Sequence, residues 1–209
     1  LTDTAGNQST ATVVGSPDLT APPMPVSLQV VNNGQKLIGS GEPGAVVRVL
    51  NANNELLGIG VVLPDGSFSI NLTPAQTDGA ALQVTLTDAA GNTSVAGNIN
   101  SPDLTPPAMP QQVQMNAQGT ALSGTGEVGA TVKVLNAAGL VVGSGTVQAD
   151  GSFSITLNPP QIDGGQLSVV LRDAAGNTST AETVQSPDLV EIATPVNLSV
   201  SMDGTVLTG

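Results

Sequence analysis

Ser-Pro-Asp-Leu begins at Ser16, Ser101 and Ser186, so 101 − 16 and 186 − 101 both give a period of 85 residues. Asp-Ala-Ala-Gly-Asn-Thr-Ser starts at Asp88 and Asp173, with a degenerate copy, Asp-Thr-Ala-Gly-Asn, at Asp3. Asp-Gly-Ser-Phe-Ser-Ile starts at Asp65 and Asp150, and Gly39-Ser-Gly-Glu returns as Gly124-Thr-Gly-Glu. The copies align without a gap and share roughly half their positions. A fixed period signals an array of folded units, and this one has the length of a complete small domain. The expected organisation is a repeat over 16–100 and a second over 101–185. Residues 1–15 then read as the tail of a preceding copy, and 186–209 as the start of a following one.

Composition narrows what such a unit can be. A unit of this size buries only about 60–65 % of its unfolded surface. Its core must come from Val, Leu, Ile and Ala, because Phe68 and Phe153 are the only aromatic residues. That scarcity weighs against carbohydrate or base recognition, which uses stacking platforms. Sixteen acidic residues against four basic ones give a net charge of −12. That charge disfavours nucleic acid and anionic lipid and suits cations. The chain has no Cys and no His, so disulfides, thiolate metal sites and the common nucleophile–base pairs are excluded. The expectation is no enzyme. A secreted domain without disulfides is more usual in bacteria than in animals. No apolar run approaches the ~20 residues of a membrane span.

Between the Gly and Pro punctuation, apolar residues alternate with period two, which predicts many short strands and no helix. In the first repeat the expected strands are Val26–Val31, Lys36–Ser40, Ala45–Leu50, Leu56–Val62, Ser67–Leu72, Ala81–Thr87 and Thr93–Asn100. Phe68, Ile70 and Leu72 fall on one inward face, and Leu82, Val84 and Leu86 on another. Asp18-Leu-Thr-Ala-Pro-Pro-Met-Pro25 is too proline-rich for a helix and reads as a stiff linker. Seven strands in 85 residues predict an all-β chain of tandem immunoglobulin-like sandwiches. Arg48 and Lys133, mid-strand on the solvent face, read as edge protection or solubility. Val46–Leu50 is the strand most suited to pairing between chains if it lies at an edge.

Four motifs in one order and spacing carry a family resemblance. They are Gly41-Glu-Pro-Gly-Ala-Val-Val-Arg-Val49, Ala149-Asp-Gly-Ser-Phe-Ser154, Thr87-Asp-Ala-Ala-Gly-Asn-Thr-Ser94 and Asp103-Leu-Thr-Pro-Pro-Ala-Met-Pro110. Over the whole chain they resemble the immunoglobulin-like repeats of giant bacterial surface adhesins of the biofilm-associated, type I secreted kind. The resemblance implies a secreted stalk on the bacterial cell surface, often calcium-stabilised, that supports cell adhesion and biofilm formation. Its partners would be neighbouring repeats, and other cells or surfaces reached through parts of the protein outside this chain. Asp188-Leu-Val-Glu-Ile-Ala-Thr-Pro195 departs from the pattern by lacking the Pro-Pro pair. Two other functions are weighed beside the stalk: a glycan- or cell-binding module, and a self-associating repeat of the biofilm matrix.

The candidate site residues are acids. Alternating strand direction sorts loops to two ends of a sandwich. One end of the first repeat receives Asp18, Glu42, Asp65 and Asp88, and one end of the second receives Asp103, Glu127, Asp150 and Asp173. All eight recur between copies although about half of the other positions differ. Oxygen clusters of this kind bind hard cations, and Ca2+ takes 6–8 oxygens with flexible geometry. Interdomain Ca2+ is therefore one expectation. Plain turn chemistry is the other, because Asp-Gly is a turn dipeptide and a short acid can cap its own loop.

Overall fold

The computed structural model describes residues 1–10, 15–202 and 204–208. Positions 11–14, Asp203 and Gly209, which belong to the two expected flanking remnants, lie outside the described residues. The chain divides into two units, Leu1–Thr105 and Pro106–Gly209. Both are all-β. No helix occurs among the described residues, and none is long and apolar enough to cross a membrane.

In the first unit the strands are β1 Val26–Val31, β2 Lys36–Ser40, β3 Val46–Leu50, β4 Leu56–Val61, β5 Ser67–Asn71, β6 Ala81–Thr87 and β7 Gly97–Asn100. They form two antiparallel sheets, ordered β1-β2-β5 and β4-β3-β6-β7. The fourth strand stays beside the third because the short Asn51–Glu55 turn closes them into a hairpin. Asn51 Oδ1 accepts the backbone N–H groups of Asn53 and Glu55 there, each at 2.9 Å. The second unit repeats the plan with β8 Gln111–Met115, β9 Ala121–Thr125, β10 Thr131–Leu135, β11 Val141–Thr146, β12 Ser152–Thr156, β13 Gln166–Arg172 and β14 Glu182–Gln185. Its sheets are β12-β9-β8 and β11-β10-β13-β14.

Period-two alternation places the core between the sheets. Val47 and Val49 of β3, Phe68 and Ile70 of β5, and Leu82, Val84 and Leu86 of β6 are buried, and Leu37, Leu57, Val62 and Leu72 join them. Phe153 occupies the place of Phe68, and both rings are 2 % exposed. The rings fit because the facing strand carries glycine. A Cβ on Gly39 would lie 2.5 Å from the Phe68 ring, and one on Gly124 would lie 2.5 Å from that of Phe153. The turn before β2 depends on glycine for a second reason. Gly34 has φ +79°, and a Cβ there would fall 2.0 Å from the Gln76 carbonyl oxygen.

Two expectations change. The last strand begins at Gly97 rather than Thr93. Thr93 instead forms a lone bridge to Thr87, and Ser94 doubles back on β6: its N–H donates to Leu86 O at 2.8 Å and its Oγ accepts from Leu86 N at 3.0 Å. The hairpin is thereby closed before β7 starts. Nor is Val46–Leu50 an edge. β3 is paired on both sides, with β4 and with β6, so it has no open backbone for another chain. Arg48 projects outward between Ile59 and Thr85 of those neighbours and protects no edge.

The flanking segments reproduce parts of the same plan. Asp3 and Asn7 form the turn that Asp88 and Asn92 form in the first unit. β15 Ser199–Val200 pairs with β16 Leu207–Thr208 in the register of β1 with β2.

Candidate functional site: the acidic loop ends

Antiparallel order puts the chain before β1 and the β2–β3, β4–β5 and β6–β7 loops at one end of the first unit. Asp18, Glu42, Asp65 and Asp88 therefore share that end, and contacts bring them together as two pairs. The Asn92 side-chain amide donates to Asp88 Oδ2 at 2.8 Å and to the Asp18 carbonyl at 3.2 Å, tying the entering linker to the β6–β7 loop. Glu42 and Asp65 flank one groove with Pro23, Met24 and Val26, where Gly41 N–H donates to Gly66 O at 2.9 Å. In the second unit the β9–β10 and β11–β12 loops of Glu127 and Asp150 are joined in the same way, Gly126 N–H donating to Gly151 O at 2.9 Å.

Each aspartate is occupied by its own turn. Asp65 Oδ1 accepts from Ser67 N at 2.9 Å and Ser67 Oγ at 2.7 Å, and Asp150 does the same with Ser152. Asp88 Oδ1 takes the Asn92 N–H, and Asp173 Oδ1 takes those of Gly176 and Asn177, while Asn177 Nδ2 donates to Asp173 Oδ2. Asp18 Oδ1 caps Thr20 N, and Asp103 Oδ1 caps Thr105 N. Glu42 and Glu127 enter their loops through the backbone, each carbonyl accepting at 3.1 Å from the residue three further on.

These bonds hold four carboxyls below the usual aspartate range. The cause is the backbone N–H and hydroxyl of Ser67 for Asp65, and the hydroxyl and backbone N–H of Ser152 for Asp150. For Asp88 it is the Asn92 side-chain amide. For Asp173 the largest single influence is partial burial, which pushes upward, and the bonds from Asn177, Gly176 and Ala175 together outweigh it.

Among the described residues no group of three or more acids gathers closely enough to hold an ion, and no buried side-chain nitrogen or oxygen lacks a partner. A groove of ≈ 620 Å3 on the open face of the second unit's three-stranded sheet is lined by Gln112, Gln114, Ser123, Gly124, Thr125, Ser152 and Phe153, with no titratable side chain.

Asp103 lies with the first unit, at the end opposite Asp18. Ser101–Leu104 continue β7 against Thr77–Ala80: Asp78 and Asp103 form a backbone bridge, Leu104 N–H donates to Thr77 O at 2.7 Å, and Ser101 Oγ donates to Asp78 Oδ1 at 3.2 Å. Asp163 and Asp188 repeat the bridge in the second unit. Ser101 and Ser186 are buried, 5 % and 3 % exposed. Sequence reasoning assigned the recurring Ser-Pro-Asp-Leu to the linker and missed this docking. The available signal was that Asp78-Gly79 and Asp163-Gly164 recur with the same period.

A family model described as a bacterial Ig domain matches residues 21–103 and again 106–188. No curated protein matches the chain. Among solved structures, the chain is similar to the BSP domain of a biofilm associated protein, with 19 % identity and a TM-score of 0.35 over 83 % of this chain. It spans 30 % of the length of that structure. It is also similar to a two-domain fibronectin type III segment of chicken tenascin, at 13 % identity and a TM-score of 0.37, covering 78 % of this chain and 98 % of the other. The FN1–FN3 domains of chicken CNTN1 match at 14 % identity and a TM-score of 0.37, over 80 % of this chain and 68 % of theirs.

Proposed function

This chain belongs to the bacterial Ig domain family, and we propose that it is a run of stalk repeats from a large bacterial cell-surface adhesin, with a mechanical rather than a catalytic task. The observation that supports this best is the sameness of the two units. Their buried cores correspond position by position at the 85-residue period, and only Leu57 against Val142 differs among the buried apolar residues. A recognition module is expected to carry a distinctive site. Here the recurring polar residues close turns, and the sole aromatic rings are inside. The repeats would hold a distal adhesive part away from the cell surface and so support cell adhesion and biofilm formation.

Calcium enters this proposal only at junctions. The recurring acids would supply carboxylate oxygens to such an ion. Binding at ten times the dissociation constant adds about 1.4 kcal/mol per site. The expected outcome is an unfolding temperature several degrees higher in Ca2+ than in excess chelator. Identical melting curves leave turn chemistry as the whole role of the acids.

The stalk reading is tested by deleting one repeat from the surface-displayed parent. Adhesion should fall with the length removed and not with which copy is removed. A glycan array probed with this chain should stay blank. Loss of adhesion tied to one particular copy, or specific glycan binding, would replace the stalk with a recognition module.

A further inference from the structure

The segment that joins one repeat to the next begins as part of the preceding fold. β6 pairs with β7 from Ala81↔Asn100 to Val84↔Gly97, and the same register continues outward through Asp78↔Asp103. Ser101 N–H donates to Ala80 O at 2.9 Å, Gly79 N–H to Pro102 O at 3.3 Å, and Leu104 N–H to Thr77 O at 2.7 Å. Thr105 Oγ1 adds a bond to Thr77 O at 3.1 Å. The second unit repeats the set with Ser186 to Gly165 at 2.9 Å, Gly164 to Pro187 at 3.1 Å and Leu189 to Ile162 at 2.7 Å. Two of the four residues facing this segment differ between the copies, Thr77 becoming Ile162 and Ala80 becoming Gly165, yet the backbone bonds are the same.

The direction of the chain gives these bonds a purpose. β1 enters at the end of the unit where Asp18 lies, and β7 leaves at the opposite end, so tension applied between the two runs parallel to the strands. A ladder pulled along its own axis shares the load among its bonds, whereas one pulled from the side opens bond by bond. We infer that Ser101–Leu104 and Ser186–Leu189 are shear clamps, which lengthen the last ladder of each unit and set the force at which the unit yields. The inference rests on the stalk reading for the claim that tension acts here, though not for the clamp's behaviour under an applied force. Pro102 has no N–H, so the ladder lacks the reciprocal bond to Gly79 O. In the second unit the side-chain amide of Gln185 donates to Gly164 O, the carbonyl that Pro187 leaves without its ladder partner.

Single-molecule stretching of the whole chain, tethered at its two ends, tests the clamp. Wild type should show two rupture events, one for each unit. Leu104→Pro removes one donor at a side chain that is 44 % exposed. One event should then weaken, its rupture at a given load becoming about fivefold faster, while the other keeps its force. Asn51→Ala removes turn bonds away from the clamp and should leave both forces unchanged. Pro102→Val supplies the missing donor and should strengthen one event, which keeps the test valid if Leu104→Pro fails to fold. Equal weakening by Leu104→Pro and Asn51→Ala would overturn the clamp, as would a Pro102→Val chain that ruptures like wild type. Because no adhesin is needed, a correct clamp with no effect of repeat deletion on adhesion would retain the clamp and remove the stalk.

Discussion

The two units agree inside and disagree on one outer face. Leu37, Ala45, Val47, Val49, Phe68 and Ile70 reappear 85 residues later as Leu122, Ala130, Val132, Val134, Phe153 and Ile155, all buried. On the outward side of the four-stranded sheet the first unit has Val46, Ile59, Val61 and, just beyond β4, Leu63. The corresponding positions in the second are Thr131, Ser144, Thr146 and Gln148. Ile59 and Val61 are more than half exposed. The sandwich is therefore specified by the inward residues, where close packing penalises a change of even one methylene, while the outward ones are free to drift. The difference is also chemical. The first unit carries an apolar edge strand, β4, and the second carries a polar one in the same place.

If the cores are equivalent, equal damage should cost equal amounts. Phe68→Ala and Phe153→Ala should each destabilise their own unit by about 3–5 kcal/mol, read as the loss of one of two transitions in denaturant unfolding. A difference between them well above about 1 kcal/mol would show that the matched cores are not matched in energy. Gly39→Ala and Gly124→Ala come next. Each adds a methyl 2.5 Å from a buried ring that is held on all sides, and each should cost about 1–3 kcal/mol through forced repacking. A neutral Gly39→Ala beside a costly Gly124→Ala would mean that one ring can move and its twin cannot.

Much of the fold was legible because one residue type repeats every second position. The alternation of Ser67-Phe-Ser-Ile and of Leu82-Gln-Val-Thr-Leu fixed both the strands and the inward face. What escaped depends on partners far apart in sequence. Ser94 ends its ladder early through a bond to Leu86 that composition does not announce. Whether β3 lies at an edge was open, because its own residues are silent about which strands flank it. Ser27 and Gln112 adopt positive φ, at 53° and 52°, inside the irregular first strands, and neither residue type signals such a bend. In the candidate site the turn role of each aspartate followed from its neighbours in sequence. The docking of Asp103 against Asp78 did not, because it joins residues 25 apart across a ladder.

Acid should remove the turn bonds of both units together. Asp65, Asp88, Asp150 and Asp173 have folded pKa values below the ordinary aspartate value of about 3.9. Carboxyls of this kind contribute stability that is present above the unfolded pKa and is lost as pH falls through the folded one. With no His in the chain, the unfolding midpoint should be nearly flat from pH 6 to 8 and decline below about pH 4. Because the acids recur in pairs, the two transitions should decline in parallel. An earlier decline in one unit, or a slope near neutrality, would break the equivalence of the two sets of turns.

The smallest stability effect lies on the face where the units differ, and it tests what the difference is for. β4 is an edge strand whose residues 56–63 carry no charge, in a chain of net charge −12. Val62 N–H donates to Ala45 O, so strand alternation turns the backbone groups of Ile59 and Val61 toward the open side. Uncharged, β-branched edges of this kind favour pairing between chains. The double change Ile59→Ser with Val61→Thr gives the outward positions 59 and 61 the residues of their counterparts in the second unit. At exposed positions it should shift stability by no more than about 0.5 kcal/mol. If the edge is only drift, the sedimentation of the chain at high concentration will be the same before and after. If it takes part in self-association, wild type will show concentration-dependent species that the double variant lacks, and the polar β11 of the second unit, rewritten as Ser144→Ile with Thr146→Val, will acquire them. That reciprocal exchange separates a property of the strand from a property of the unit, because the cores beneath the two strands differ only at Leu57 against Val142.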